Sequence, residues 1–271
     1  MKRALAWSAH LFTSLGLLAA AGIGVLIVQG GDRALRGAFA LMWLATLIDA
    51  LDGTWAKRVR VNEVLPDFDG RKLDDLIDFQ TYTSLPLLLI WRAAILPDGW
   101  APLLLAPLVA SALAFSRRDA KTDDGYFLGF PSYWNIVAFY CYFLALPGSV
   151  AAGLIAVLTV LTFVRSRYLY STQAGRLNLL ANVLAAPWAV MLLWITLKEG
   201  SPDLALVSLY FPLFYLGGIV VGYPQNSAIR GGSNSDTKIV RAPYGGRRSD
   251  VAPDDAGSTM LTGRLLRLAT R

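Results

Sequence analysis

The chain has 271 residues, 55% hydrophobic and only 16% charged, with a mean hydropathy of +0.47 and a formal net charge of +6. A soluble domain with an ordinary polar surface does not show that balance, so the composition points to an integral membrane protein. The single cysteine, Cys141, excludes a disulfide framework and a cysteine metal site.

In chain order, Met1-Lys2-Arg3 leads into an apolar stretch from Leu5 to Val28, about 24 residues and too long for the apolar core of an ordinary signal peptide, so it reads as a retained first span. Further stretches able to cross a hydrocarbon layer of about 30 Å follow at Leu35 to Leu51, Leu76 to Leu96, Trp100 to Phe115, Trp134 to Leu146, Val150 to Val164, Leu177 to Leu197 and Leu204 to Tyr223. The fourth, fifth and sixth are short and would suit re-entrant segments if not extended. The expected fold is therefore all-α, a polytopic transmembrane helical bundle of six to eight spans, with eight favoured.

Residues 1–224 would form the membrane domain, and 225–271, rich in Gly, Ser, Asp and Arg, a disordered tail. The end of that tail, Leu261 to Arg271, could instead form a short basic amphipathic helix against anionic lipid.

Eight spans with the N-terminus inside put Lys2, Arg3, Lys57, Arg58, Arg60, Arg71, Lys72, Arg117, Arg118, Lys121, Arg165, Arg167 and Arg176 on inner loops, against Arg33, Arg36 and Lys198 outside. Basic loops stay on the cytoplasmic side, so both termini are expected there. This distribution accounts for the net positive charge without nucleic acid.

Eight acidic residues fall between positions 49 and 79, at the inner ends of two successive spans. Asp49 and Asp52 are three apart and share a helix face with Ala56; Asp74 and Asp78, four apart, do the same on the next span. Asp75 is turned about 100° from Asp74 and should point elsewhere. Four carboxylates at a membrane edge repel one another and raise each other's pKa unless a cation lies between them. An all-oxygen donor set suits two Mg²⁺ or Mn²⁺ ions about 4 Å apart, a pair able to clamp a pyrophosphate. Gly53 and Gly70 leave room beside these ligands, and Lys57 and Arg58 could pair with phosphate oxygens. The competing reading of the acids as solvated helix caps does not account for two in-phase pairs, each with a small residue on its face.

Asp49-x2-Asp52-Gly53-x2-Ala56-Lys57, then Gly70-x3-Asp74-x3-Asp78, resembles the signature of the CDP-alcohol phosphotransferases, membrane enzymes that move a phosphatidyl-type group from a CDP-linked donor to an alcohol and release CMP. Two departures stand out: Lys57 where the family commonly has Arg, and twelve residues between Lys57 and Gly70 where about eight are usual. That insert, with "VLPDFDGRKLDDLIDFQTY" and the later "DGYFLGFPSYWN", is similar to the bacterial members that accept free choline and make phosphatidylcholine. The resemblance implies CDP-diacylglycerol and choline as substrates, two Mn²⁺ or Mg²⁺ ions, a homodimer, and a multi-pass protein of the bacterial inner membrane with a cytoplasmic site. It implies that Asp49, Asp52 and Asp74 ligate metal, that Asp78 completes the second metal site and is the base for the acceptor hydroxyl, and that Gly53, Ala56, Lys57 and Gly70 accommodate the CDP moiety. Lysine lacks the planar fork of arginine, so Arg58 could share the phosphate.

A quaternary ammonium is met by aromatic faces. Tyr82, one turn beyond Asp78, is the first candidate, followed by Tyr126, Phe127, Tyr133 and Trp134; an interfacial belt is the competing explanation for each. Arg165 and Arg167 could hold a lipid phosphate, although topology also explains them. His10, the sole histidine, reads as a packing or interfacial residue. The same reaction with serine, inositol or another small alcohol is the near alternative, and a cation transporter the remote one.

Overall fold

The long helices carry apolar side chains around their whole circumference because their outer faces meet lipid, where every backbone polar group must be satisfied within the segment. The computed structural model describes residues 2–117, 126–164, 166–169, 176–198 and 202–221. The expected domain boundary near residue 224 and the tail fall outside these residues.

Helices α1 (Lys2–Gln29) and α2 (Asp32–Arg58) form a hairpin joined by Gly30 and Gly31, whose φ angles of 68° and 82° lie in the left-handed region that glycine tolerates. Both are long and apolar enough to cross a membrane, as is the stretch Leu179–Leu197. Leu11, Leu18, Val25 and Val28 on α1 are exposed apolar side chains, while Ala6, Ala9, Gly16, Ala19 and Ala20 are buried. Small residues on the inner face let a neighbouring helix approach closely, as membrane bundles require.

Beyond α2 the chain turns at Arg60, which has φ 51°. The long insert then folds into a one-turn helix α3 (Val61–Val64), whose Val61, with Leu65, packs against Ala6 and Ala9 of α1. Asp69 accepts a hydrogen bond from the Lys72 backbone N–H at 3.2 Å and so caps the start of α4 (Gly70–Asp78). Helix α4 runs into a π-helical segment, Phe79–Ser84, and then α5 (Leu85–Arg92). Pro86 has no N–H to give and its ring would meet the carbonyl four residues back, at Tyr82; the wider π turn, in which the Leu85 N–H bonds to Gln80 O, relieves that conflict.

The remaining apolar stretches are also helical: a 3-10 turn at Ala101–Leu104 leading into α6 (Leu105–Phe115), then α7 (Trp134–Phe143), α8 (Gly148–Phe163) and α9 (Arg176–Leu197). The last expected span is two helices, α10 (Pro202–Ser208) and α11 (Tyr210–Val221). Pro212 explains the break, since its ring excludes the Ser208 carbonyl from a continuous ladder. Two three-residue strands that the hydropathy pattern did not announce, β1 (Tyr126–Leu128) and β2 (Arg167–Leu169), form an antiparallel ribbon in which Phe127 faces Tyr168 and Leu128 faces Arg167.

The main core joins α2, α5, α7, α8 and α9 through Phe39, Leu89, Ile90, Phe139, Ile155 and Leu192. At the end of α2 opposite Asp49 and Asp52, Arg36 donates to the carbonyls of Ile195, Thr196 and Lys198 at 3.1, 3.3 and 3.2 Å, tying the end of α9 to α2. The protein is a helical membrane protein, as its composition requires.

Candidate active site

Helical phase puts Asp49 and Asp52 on one face of α2, and Asp74 and Asp78 on one face of α4. Because α2 and α4 both pack on α1, the two faces meet. Carboxylate oxygens of Asp49, Asp74 and Asp78 lie within 4.8 Å of one another. Asp52 lines the same cavity with them but is not in that closest group; it is 7% exposed, and its Oδ2 accepts a hydrogen bond from Thr13 Oγ1 at 2.7 Å. Asp75 lines a separate groove of about 370 Å³ between α4 and α6, with Lys72, Phe79 and Phe115.

The cavity among the four carboxylates has a volume of about 10 Å³ and is lined also by Thr13, Gly16, Ala45, Ile48, Ile77 and Thr81. That is room for about one water-sized sphere. It fits an ion and is far too small for a nucleotide. The carboxylate and hydroxyl donors are all oxygen, the chemistry that hard divalent cations take, and three carboxylates this close strongly favour a cation among them. The residues present therefore fit a divalent metal.

Tyr82 is buried, and its hydroxyl donates to Asp49 Oδ2 at 2.7 Å. Its ring centroid is 6.1 Å from that of Tyr133, which stands 6.3 Å from Tyr215, and Tyr215 is 6.1 Å from Tyr168. An aromatic row thus leads away from Asp49 toward β2 and α11. Trp134 is not part of it: the indole is 0% exposed in the core, with its Nε1 donating to Ser111 Oγ at 2.8 Å, and it has no face to offer a ligand. Tyr126 and Phe127 lie on β1 and Arg167 on β2, but their side chains, and Arg165 altogether, fall outside the described residues.

The small residues of the signature divide by what surrounds them. A Cβ added at Gly53 would meet nothing within 4 Å, so packing does not require this glycine. A Cβ at Gly70 would lie 2.6 Å from Cε1 of His10. The space Gly70 leaves is taken by that imidazole. Ala56 packs beside Ala6, Ala9, Val61 and Leu65, while Lys57 and Arg58 are exposed at the end of α2.

Sequence reasoning overlooked α1 as the third wall. His10, Thr13 and Gly16, spaced by three, put an imidazole over Gly70, a hydroxyl on Asp52, and a gap where an added Cβ would sit 2.8 Å from Ile77 Cγ2. That spacing of polar and small residues in an apolar span was the available signal. Tyr215 had none, since it lies far along the chain in an aromatic-rich helix.

No protein-family model matches the chain. Among curated proteins, the phosphatidylcholine synthase of Bradyrhizobium diazoefficiens is 40% identical over 197 residues, 71% of each chain. That of Pseudomonas aeruginosa is 32% identical over 214 residues, covering 78% of this chain and 88% of the relative. That of Legionella pneumophila is also 32% identical, over 231 residues, 78% of this chain and 89% of the relative.

Proposed function

The chain belongs to the phosphatidylcholine synthase family, and on that premise we propose that its aspartate cavity is where a phosphatidyl group passes from CDP-diacylglycerol to choline with release of CMP. The observation that carries this reading is the convergence of Asp49, Asp74 and Asp78 oxygens within 4.8 Å. Asp49, Asp52, Asp74 and Asp78 would hold divalent metal, Mn²⁺ or Mg²⁺, which when bound neutralises the pyrophosphate of the donor.

The cytidine and ribose must lie outside so small a cavity. The exposed end of α2 suits them: Gly53 leaves open space there, and Lys57 and Arg58 offer cationic partners for phosphate oxygens. Asp78 takes the proton of the choline hydroxyl. The choline oxygen then forms a bond to the phosphorus carried by diacylglycerol, the bond from that phosphorus to the bridging oxygen breaks, and CMP leaves with the electron pair. The proton on Asp78 passes to the departing phosphate or to water. Tyr82, bonded to Asp49, and Tyr133 beyond it offer aromatic rings, the kind of surface on which a trimethylammonium group rests.

The excess of Lys and Arg on alternate loops supports a cytoplasmic site in a bacterial inner membrane, where CMP and choline are water-borne and the acyl chains stay in lipid. The homodimer implied by the family resemblance would show as a doubled protein mass by light scattering after subtraction of detergent.

The deciding experiment gives purified protein CDP-diacylglycerol with choline, serine or inositol in turn and measures CMP and lipid product. Phosphatidylcholine formed with choline is expected. Product with serine or inositol and none with choline would reject the acceptor, and metal flux into liposomes without CMP formation would reject the transferase reading.

A further inference from the structure

Of the four carboxylates around the cavity, Asp52 stands apart. Asp49, Asp74 and Asp78 approach one another within 4.8 Å, whereas Asp52, though it lines the same cavity, is held through Oδ2 by Thr13 of α1 at 2.7 Å. The Thr13 hydroxyl has a single proton and two acceptors within reach: Asp52 Oδ2 at 2.7 Å and the Ala9 carbonyl at 3.3 Å. The usual resting place of a helical threonine hydroxyl is the carbonyl four residues back. Here the shorter bond crosses to another helix and ends on a charged group, which makes it the stronger of the two.

From this geometry we infer that Thr13 is a positioning residue of the metal site, fixing one oxygen of Asp52 so that Oδ1 remains as its ligand atom at a set distance from the Asp49, Asp74 and Asp78 group. The inference rests on the metal reading of the cavity and adds to it that one ligand is oriented from α1, which carries none of the aspartates. Without the hydroxyl, Asp52 would keep its charge but lose the contact that orients it. A carboxylate free to rotate among three others binds an ion less well, because each bound ion must then fix a side chain that was not fixed before. Loss of such an orienting contact typically costs 10- to 100-fold in metal affinity.

Three features favour this over a bond that only holds α1 to α2. Asp52 is nearly enclosed, so its orientation is not set by solvent. Thr13 itself lines the cavity. One turn further along, Gly16 brings α1 close to Ile77, between Asp74 and Asp78, so α1 is seated against both ligand-bearing helices at this level.

The test is Mn²⁺ binding to detergent-solubilised full-length protein, read from the electron paramagnetic resonance of free Mn²⁺ with no lipid donor present. Wild type should bind Mn²⁺. Thr13→Val and Thr13→Ala, which remove the hydroxyl with and without a branched side chain, should weaken at least one binding step by about tenfold or more. Thr13→Ser, which keeps the hydroxyl, should bind within about threefold of wild type. In an Asp52→Asn background, Thr13→Val should cost little more, because the two act as one unit. Wild-type affinity in both hydroxyl-free variants would overturn the inference while leaving the metal site intact, as would an undiminished Thr13→Val effect in the Asp52→Asn background. Absence of Mn²⁺ binding in wild type would overturn the metal reading and this inference with it.

Discussion

The carbon that Gly70 lacks would lie 2.6 Å from Cε1 of His10, closer than unbonded carbons approach. The imidazole is 6% exposed, and its ring stands 4.2 Å from that of Phe68, so it has little room to retreat. The glycine that opens the second half of the signature is thus needed to seat α4 on α1.

Gly70→Ala should therefore destabilise the protein by about 1–3 kcal/mol through overpacking, seen as a lower melting temperature in detergent. His10→Ala in the same chain should return part of that loss. If Gly70→Ala melts with wild type and only its affinity for CDP-diacylglycerol falls, the glycine serves the nucleotide and not the imidazole.

Tyr82 offers two separable things, a hydroxyl on Asp49 and a ring beside Tyr133. Tyr82→Phe keeps the ring, so it should lower kcat by about tenfold with little change in the KM for choline, as an orienting contact on a metal ligand would. Tyr82→Ala should raise the choline KM as well. Equal choline KM values in the two variants would remove the ring from the acceptor site.

Asp78→Asn preserves shape and one oxygen ligand while removing the proton acceptor. A base of this kind contributes about 10²- to 10⁴-fold, so CMP release should fall at least a hundredfold while the protein stays monodisperse. Retention of a tenth or more of wild-type turnover would take the role of base away from Asp78.

Chelation should stop CMP release and also lower the melting temperature, since an ion that binds the folded protein stabilises it by mass action and its removal restores repulsion among Asp49, Asp74 and Asp78. Adding back Mn²⁺ or Mg²⁺ should reverse both. A melting temperature indifferent to chelator and to added ion would argue that the carboxylates hold no metal.

What the amino-acid order determined by itself is what depends on local periodicity. Apolar length made the helices, and intervals of three and four residues put Asp49 with Asp52, Asp74 with Asp78, and Asp75 on another face, because helical phase follows from hydrogen bonds between near neighbours. Local periodicity is silent on which faces meet. That was decided by packing between segments far apart in sequence: Gly16 against Ile77, Gly70 under His10, Thr13 on Asp52 and the Tyr82 hydroxyl on Asp49. The β1–β2 ribbon belongs to the same class, whereas the π segment before Pro86 and the break at Leu209 follow from the local clash of a proline ring with the carbonyl four residues back. The contacts between distant segments arise where one element fills or obstructs space left by another, so only the assembled bundle could decide them.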